Sequence, residues 1–419
     1  MTGTLHNFTF EHPYRPLWLR GINWTGETLK QNGISLVDLS EASLLTAASS
    51  KTGLSNWGDE SFRLPLRTLL ESLEKDAALN LFGRYFMRKL CIQLLSNRLR
   101  IQEDLKHYPE ILQVPIARPL FILGMPRSGT TLLHNLLAQD PASRWLHLWE
   151  MASPSPPPEY HNRNSDPRIQ RVEKFVKRYN TLAPQLTTVH NLNPKGPEEC
   201  NPLFEHEFTS PIFEIRANVK CYAEWLETYD LVRAYQFYRQ QLQLLAWHYP
   251  PDSHWVFKAP AHIFYLDALI KVFPDACIVQ THRDPLKVLP SICSLTAIVR
   301  GIYSDRIEPK TLGKYWSDRI AKALVREMQV RDSEQSSRFY DVHYHTLVQD
   351  PIGIVRQIYA YFGYEFHPQM AENIKTWLAQ NPQHKHGVHR YSLEQFGLDP
   401  EKVNAQFAKY CEKFNVRRE

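Results

Sequence analysis

From Asp59 to about Leu105, apolar residues recur at three- and four-residue spacing: Phe62, Leu66, Leu69, Leu70 and Leu73, then Leu90, Ile92, Leu94, Leu95 and Leu99. This is the period of an amphipathic helix. Such a stripe needs a surface to cover it, so residues 1–115 are expected to form an N-terminal helical region packed on the downstream core. Residues 1–60, rich in polar and turn-forming types, predict no definite element. Beyond Pro115–Pro119 the texture changes. Leu120-Phe-Ile-Leu123 is a short apolar run ending at Gly124, and Thr130–Ala138 is a helical run stopped by Asp140-Pro141. Strand, glycine loop and helix in that order open a parallel α/β sheet.

Later runs extend the same pattern. Trp255-Val-Phe257, Cys277-Ile-Val-Gln-Thr281 and Phe339–His343 read as strands, with a helix over Gly353–Phe362 after the last. Residues of about 153–250 interrupt the rhythm. They open with the stiff Ser153-Pro-Ser-Pro-Pro-Pro158 and carry helical patterns near Arg168–Tyr179 and Asp230–His248. The expected fold is therefore α/β: a P-loop-like parallel sheet flanked by helices over residues 116–419, with an N-terminal helical layer and a helical insertion. No internal repeat is visible.

Composition narrows the class. The 419 residues include 43% hydrophobic and 22% charged types, ordinary for a globular chain. The net charge of +5 accommodates an anionic ligand but falls short of a general nucleic-acid binder. Six scattered cysteines without a C-x-x-C pair argue against a disulfide framework or a zinc site, so no metal is expected. The N-terminus shows no basic flank followed by an apolar core, and no apolar run reaches about 18 residues. A cytoplasmic protein without a membrane span is the expectation. The oligomeric state is not encoded in any of these features.

The chemistry begins at Gly124-Met-Pro-Arg-Ser-Gly-Thr-Thr131. A loop of this kind at a strand-to-helix junction turns backbone N–H groups toward an anion, and the helix N-terminus adds positive potential. A nucleoside-triphosphate loop carries lysine after its second glycine; Thr130 stands there instead. The cation is Arg127, whose fork holds two oxygens at once. Taken alone, the segment is also compatible with a glycine turn and capping threonines. Downstream, Arg283 sits at a strand end in Thr281-His-Arg-Asp-Pro, with Ser291 two helical turns beyond. That segment alone is a plausible helix start, with Asp284 as cap and Pro285 in the first turn.

Together these two motifs resemble the 5′-phosphosulfate loop and the 3′-phosphate motif of the sulfotransferase superfamily, in the family's order. The likeness is nearest to the large bacterial-type branch, and Gly53-Leu-Ser-Asn-Trp-Gly-Asp-Glu-Ser-Phe62 is similar to that branch's N-terminal G-L-x-x-x-G-x-x-x-F segment. The resemblance implies 3′-phosphoadenosine 5′-phosphosulfate (PAPS) as donor. Arg127, Ser128, Gly129, Thr130 and Thr131 would hold the 5′-phosphosulfate, and Arg283 and Ser291 the 3′-phosphate. Val342-His-Tyr-His-Thr-Leu-Val-Gln-Asp-Pro351 is similar to the family's Y-E-D-L-x-x-D-P stretch, which puts Tyr344 beside adenine; His345-Thr346 departs from its acidic pair. His384-Lys-His-Gly-Val-His-Arg-Tyr391 is a basic cluster, either a loop closing on the 3′-phosphate or a solvated turn.

Sulfuryl transfer needs an in-line acceptor hydroxyl or amine, a base, and cations on the leaving phosphate. Lys258, ending a strand, matches the family's donor-facing lysine. The histidine that cytosolic members carry two residues on is replaced by Pro260. Glu150 is the first expectation for the base: it lies where other branches carry a glutamate, and its neighbours in Trp145-Leu-His-Leu-Trp-Glu150 predict an unpaired carboxyl with a raised pKa. His262 comes second, and Glu198 and Glu199 third. The insertion's Trp225, Tyr235, Phe237, Tyr238 and Trp247 fit either core packing or a lid over a hydrophobic alcohol, lipid or secondary metabolite. Two other readings stay open: a small-molecule kinase with a P-loop, and a nucleotide-binding protein that has lost catalysis.

Overall fold

A computed structural model describes residues 10, 13–189, 192–382 and 391–419. Four strands form one parallel sheet: β1 (Leu120–Gly124), β2 (Val256–Lys258), β3 (Cys277–His282) and β4 (Phe339–His343), in the order β2-β1-β3-β4. β1 and β3 are buried along their whole length, as expected for continuous apolar runs covered by helices on both faces. β4 alternates in burial and closes one edge. In register, Ile122 lies beside Lys258, Gly124 beside Thr281, and His282 beside His343. The chain leaves β1 toward β2 on one side and returns to β3 on the other. A crevice therefore opens at the carboxyl edge between β1 and β3, the place where open α/β sheets bind ligands.

Capping residues start the flanking helices where the sequence puts them. Asp284 accepts from the Leu286 N–H ahead of the helix Pro285–Tyr303. Asp350 accepts from Gly353 N–H ahead of Pro351–Phe362, so that helix begins two residues before its expected start. The helix Pro285–Tyr303 is long and apolar enough to cross a membrane, with mean hydropathy 1.3, yet 89% of it is buried within the protein. It is the core helix behind the crevice.

The N-terminal stripe divides into two helices, Arg63–Lys75 and Leu81–His107, the second started by Asn80, whose side chain accepts from Gly83 N–H. The unassigned residues before them contribute Leu17–Gln31 and Glu41–Thr52. One core cluster runs from these helices through the sheet into the insertion. A buried ion pair, Arg98 with Glu207, crosses from the N-terminal layer to the insertion, and the Arg98 guanidinium lies between the rings of Phe62 and Phe237. The segment Gly53–Phe62 holds this arginine in place: the Trp57 and Asp59 carbonyls accept from it.

In the insertion the helices are Pro167–Leu182, Lys220–Thr228 and Val232–Ala246, with shorter turns between them. Tyr235, Phe237 and Tyr238 are all buried in core clusters. Their spacing marks a packed helix and not the wall of a ligand cage.

Gly83 fixes how the N-terminal layer meets the core helix. A Cβ there would stand 2.1 Å from the Tyr303 carbonyl oxygen. Gly83→Ala is expected to cost about 1–3 kcal/mol by forcing these backbones apart. Thermal unfolding checks this; an unchanged melting temperature would contradict the close approach.

Candidate active site

The four strands end on the residues that matter. The β1 loop supplies Arg127 and Gly129, β2 ends on Lys258, β3 leads into Arg283, and β4 into Tyr344. The loop is shaped from within. Ser128 Oγ donates to the Met125 carbonyl at 2.6 Å and lies 2.6 Å from Thr281 Oγ1, so its hydroxyl is engaged at the base of the loop. Gly129 caps the next helix with φ +100°, and a Cβ on it would stand 2.8 Å from the Tyr344 ring. Only glycine accepts both conditions. The ring is thereby pressed onto the loop, and its other neighbour is the Arg283 guanidinium, 3.9 Å from the ring centroid.

Two arginines converge on the crevice. Arg127 Nε donates to Ser291 Oγ at 3.1 Å, and Arg283 Nη1 donates to the Arg127 carbonyl at 3.2 Å. Burial pulls the Arg127 guanidinium below its ordinary range, and the charge of Arg283 adds to the effect. A desolvated cation beside a like charge is a standing demand for an anion. Arg283 meets part of its own demand through the Glu419 carboxylate at 3.0 Å. Ser291 is buried, and among the described residues its side chain meets the site through Arg127.

Lys258 is buried behind this anion cradle and meets the larger space beside it through Glu199. Its Nζ donates to Glu199 Oε1 at 2.6 Å and lies 3.4 Å from Thr131 Oγ1. The other Glu199 oxygen accepts from Asn201 Nδ2 at 2.8 Å, and Glu198 Oε1 accepts the Glu199 backbone N–H at 2.9 Å. Both glutamates line a cavity of about 620 Å³, a size suited to a small organic ligand. At one end are Arg127, Gly129, Thr130, Thr131, Arg283 and Tyr344. Beyond the glutamates the walls turn apolar, with Leu186, Ile212 and Ile215 from the insertion facing Leu295 and Val299 of the core helix and Phe86 of the N-terminal layer.

The expected base is not at this place. Glu150 is fully buried, does not line the cavity, and is paired: Oε1 with Arg144 Nη2 at 2.7 Å, Oε2 with the His147 backbone N–H at 3.0 Å. Burial alone would raise its pKa, but Arg144 and His147 bring it down to about 2. The unpaired, raised carboxyl predicted from its apolar neighbours is therefore replaced by a structural ion pair. His262 is also enclosed. Its Nδ1 meets the Tyr235 hydroxyl at 2.7 Å, rings of Phe121 and Phe204 surround it, and burial lowers its pKa to about 3. It too lies outside the cavity lining. The glutamates ranked third are the carboxylates the structure brings to the site.

Most of the His384–Tyr391 cluster lies outside the described residues, and no group of three or more His, Cys, Asp or Glu suited to a metal occurs among those described. Asn201 and Arg144 were not expected at all, and Thr281 was named only as the strand end that opens the Arg283 segment; each acts through a partner distant in sequence or through an ordinary packing position.

A parallel sheet with a glycine loop at its switch point, two arginines across the crevice and Glu199, paired with the buried Lys258, on the wall of an adjoining cavity has the layout of a group-transfer enzyme: a place for an anion beside a place for a second ligand. Similarity to known proteins specifies the group. Residues 119–368 match the model of the sulfotransferase family, and the chain belongs to that family. Over 66% of its length it is 24% identical to omega-hydroxy-beta-dihydromenaquinone-9 sulfotransferase Stf3 of Mycobacterium bovis, covering 71% of that protein. Its fold is similar to that of sulfotransferase STF1 from Mycobacterium tuberculosis H37Rv, with TM-score 0.79 and 33% identity over 88% of this chain and 98% of that one. It is likewise similar to STF9 from Mycobacterium avium, with TM-score 0.85 and 27% identity over 92% and 99% of the two chains.

If Glu150 is structural, Glu150→Ala strands Arg144 in the core and costs about 3–5 kcal/mol of stability. The sign with pH is set by its depressed pKa. The carboxylate's contribution is complete above its ordinary value of 4.5 and is lost as pH falls through about 2. The stability gap between wild type and Glu150→Gln should accordingly narrow on acidification across that window, measured by denaturant titration. A gap that widens would contradict the ion pair.

Proposed function

We propose that this protein transfers a sulfuryl group from PAPS to the hydroxyl of a small, predominantly apolar acceptor. The observation that carries the reading is the position of Lys258, whose ammonium touches both the phosphate loop at Thr131 and Glu199 on the cavity side. The donor's phosphosulfate would lie against the loop N–H groups and Arg127, and its 3′-phosphate would take the place of the Glu419 carboxylate on Arg283. Tyr344, held flat by Gly129 and Arg283, would offer its face to adenine.

In the reaction the acceptor oxygen forms a bond to sulfur as the bond between sulfur and the bridging phosphate oxygen breaks. Adenosine 3′,5′-bisphosphate leaves. Glu199 receives the acceptor proton, and Lys258 turns from Glu199 to the bridging oxygen as charge develops there. The pairing of the two residues beforehand holds carboxylate and ammonium together beside Thr131. The apolar walls support a hydrophobic acceptor, as does the omega-hydroxy compound in the name of the Mycobacterium bovis relative. A kinase reading gains nothing, since Thr130 occupies the position of a triphosphate-reading lysine.

Glu199→Gln is expected to lower turnover by about 10²–10⁴-fold while the thermal shift produced by adenosine 3′,5′-bisphosphate without magnesium stays as in wild type. Near-normal turnover would move the base to Glu198. Arg127→Ala should weaken the bisphosphate's binding by about tenfold or more, as expected for losing a charge-assisted contact. Stabilisation by ATP with magnesium but not by the bisphosphate would overturn the donor assignment.

A further inference from the structure

The cavity has a second polar end that the transfer reaction does not use. One face of the core helix lines it through Ile292, Leu295, Val299 and Tyr303. Ser291 marks the donor end through its bond to Arg127, and Tyr303 lies twelve residues on, about 18 Å away at the rise of an α-helix. Around Tyr303 the walls become polar again. Tyr179 and Arg216, both from the insertion, line the cavity there, and Phe86 stacks on the Tyr303 ring at 4.5 Å between centroids.

The charge at this end is balanced. Arg216 is paired fork to fork with Glu205, whose side chain is 3% exposed, while the arginine keeps 18% exposure toward the cavity. A carboxylate ligand would meet the negative charge of Glu205 just behind the guanidinium, so the end does not suit a second anion. Burial raises the Tyr179 and Tyr303 phenols above their ordinary range, so both keep their protons; the two hydroxyls are hydrogen-bonded to each other, which leaves the pair one proton to offer a ligand. Hydrogen-bond donors without net charge at the end of an apolar channel select a neutral oxygen.

We infer that Tyr179, Tyr303 and Arg216 form a distal subsite for a neutral carbonyl oxygen of the acceptor, at the end of the core helix about 18 Å along its axis from Ser291. The inference rests on the reading of this cavity as the acceptor chamber. It deepens that reading by giving the acceptor two polar ends joined by an apolar chain. Length and polarity are then read together: a chain too short gains no hydrogen bond at the distal end.

The test uses long-chain primary alcohols bearing a ketone at graded distances from the hydroxyl, each paired with the same alcohol carrying methylene in place of the ketone. Calorimetric titration into the wild-type protein should show the ketone of the matching length binding about two- to tenfold more tightly than its methylene partner. The double variant Tyr179→Phe/Tyr303→Phe should abolish that preference without weakening the methylene alcohol. Equal binding within every pair by wild type, or a loss that falls equally on both members of a pair, overturns the subsite. Failure to sulfate the methylene alcohol, with the binding preference intact, would count against the proposed reaction and not against the subsite.

Discussion

The structure turns on a single electrostatic constraint, the holding of two guanidinium groups side by side at the carboxyl edge of β1 and β3. Arg283 is steadied by the Arg127 carbonyl, and Arg127 by Ser291. Neither bond neutralises charge. Glu419 offsets part of the charge on Arg283, and the remaining cost of keeping Arg127 buried beside a like charge favours an anion in the crevice. Ser128 and Thr281 lock the loop beneath, and Gly129 lets the Tyr344 ring approach from above. The four strand ends thus converge on one anion because the parallel sheet delivers all of them to the same edge.

From that edge the rest of the molecule organises a single passage. The core helix after Arg283 runs away from the cradle, and one of its faces becomes a wall of the chamber. The insertion and the N-terminal layer supply the other walls. Buried ion pairs tie these layers together: Arg98 with Glu207, and Arg319 with Glu214 at 3.2 Å. Such pairs add little net stability but penalise any arrangement that separates the partners. The chamber's shape is in this sense specified by charges lying outside it.

The donor half of the site was legible because it is local. A strand, a glycine loop and a helix are adjacent in sequence, and so are Arg283, Asp284 and Pro285, so pattern and geometry coincide. The sheet and the family emerged from the same segments. Glu150 misled for a physical reason. Its apolar neighbours suggested an isolated carboxyl, while Arg144, six residues back, folds under it as a partner. The Lys258–Glu199 pair joins residues 59 apart and leaves no periodic trace. Aromatic spacing in the insertion disclosed a helix but not which space its side chains fill. The walls of the chamber come from several distant segments, and only the fold shows that Phe86 and Ile215 share one cavity.

The central claim is that one cavity brings the PAPS sulfuryl group to an apolar hydroxyl. Its most direct test is competition: wild-type protein, PAPS labelled in the sulfuryl group, and an equimolar mixture of a long-chain primary alcohol and a free sugar. Label is expected in the sulfate ester of the long-chain alcohol, with adenosine 3′,5′-bisphosphate released in equal amount. Label found only on the sugar, or no release of the bisphosphate with either acceptor, would contradict it.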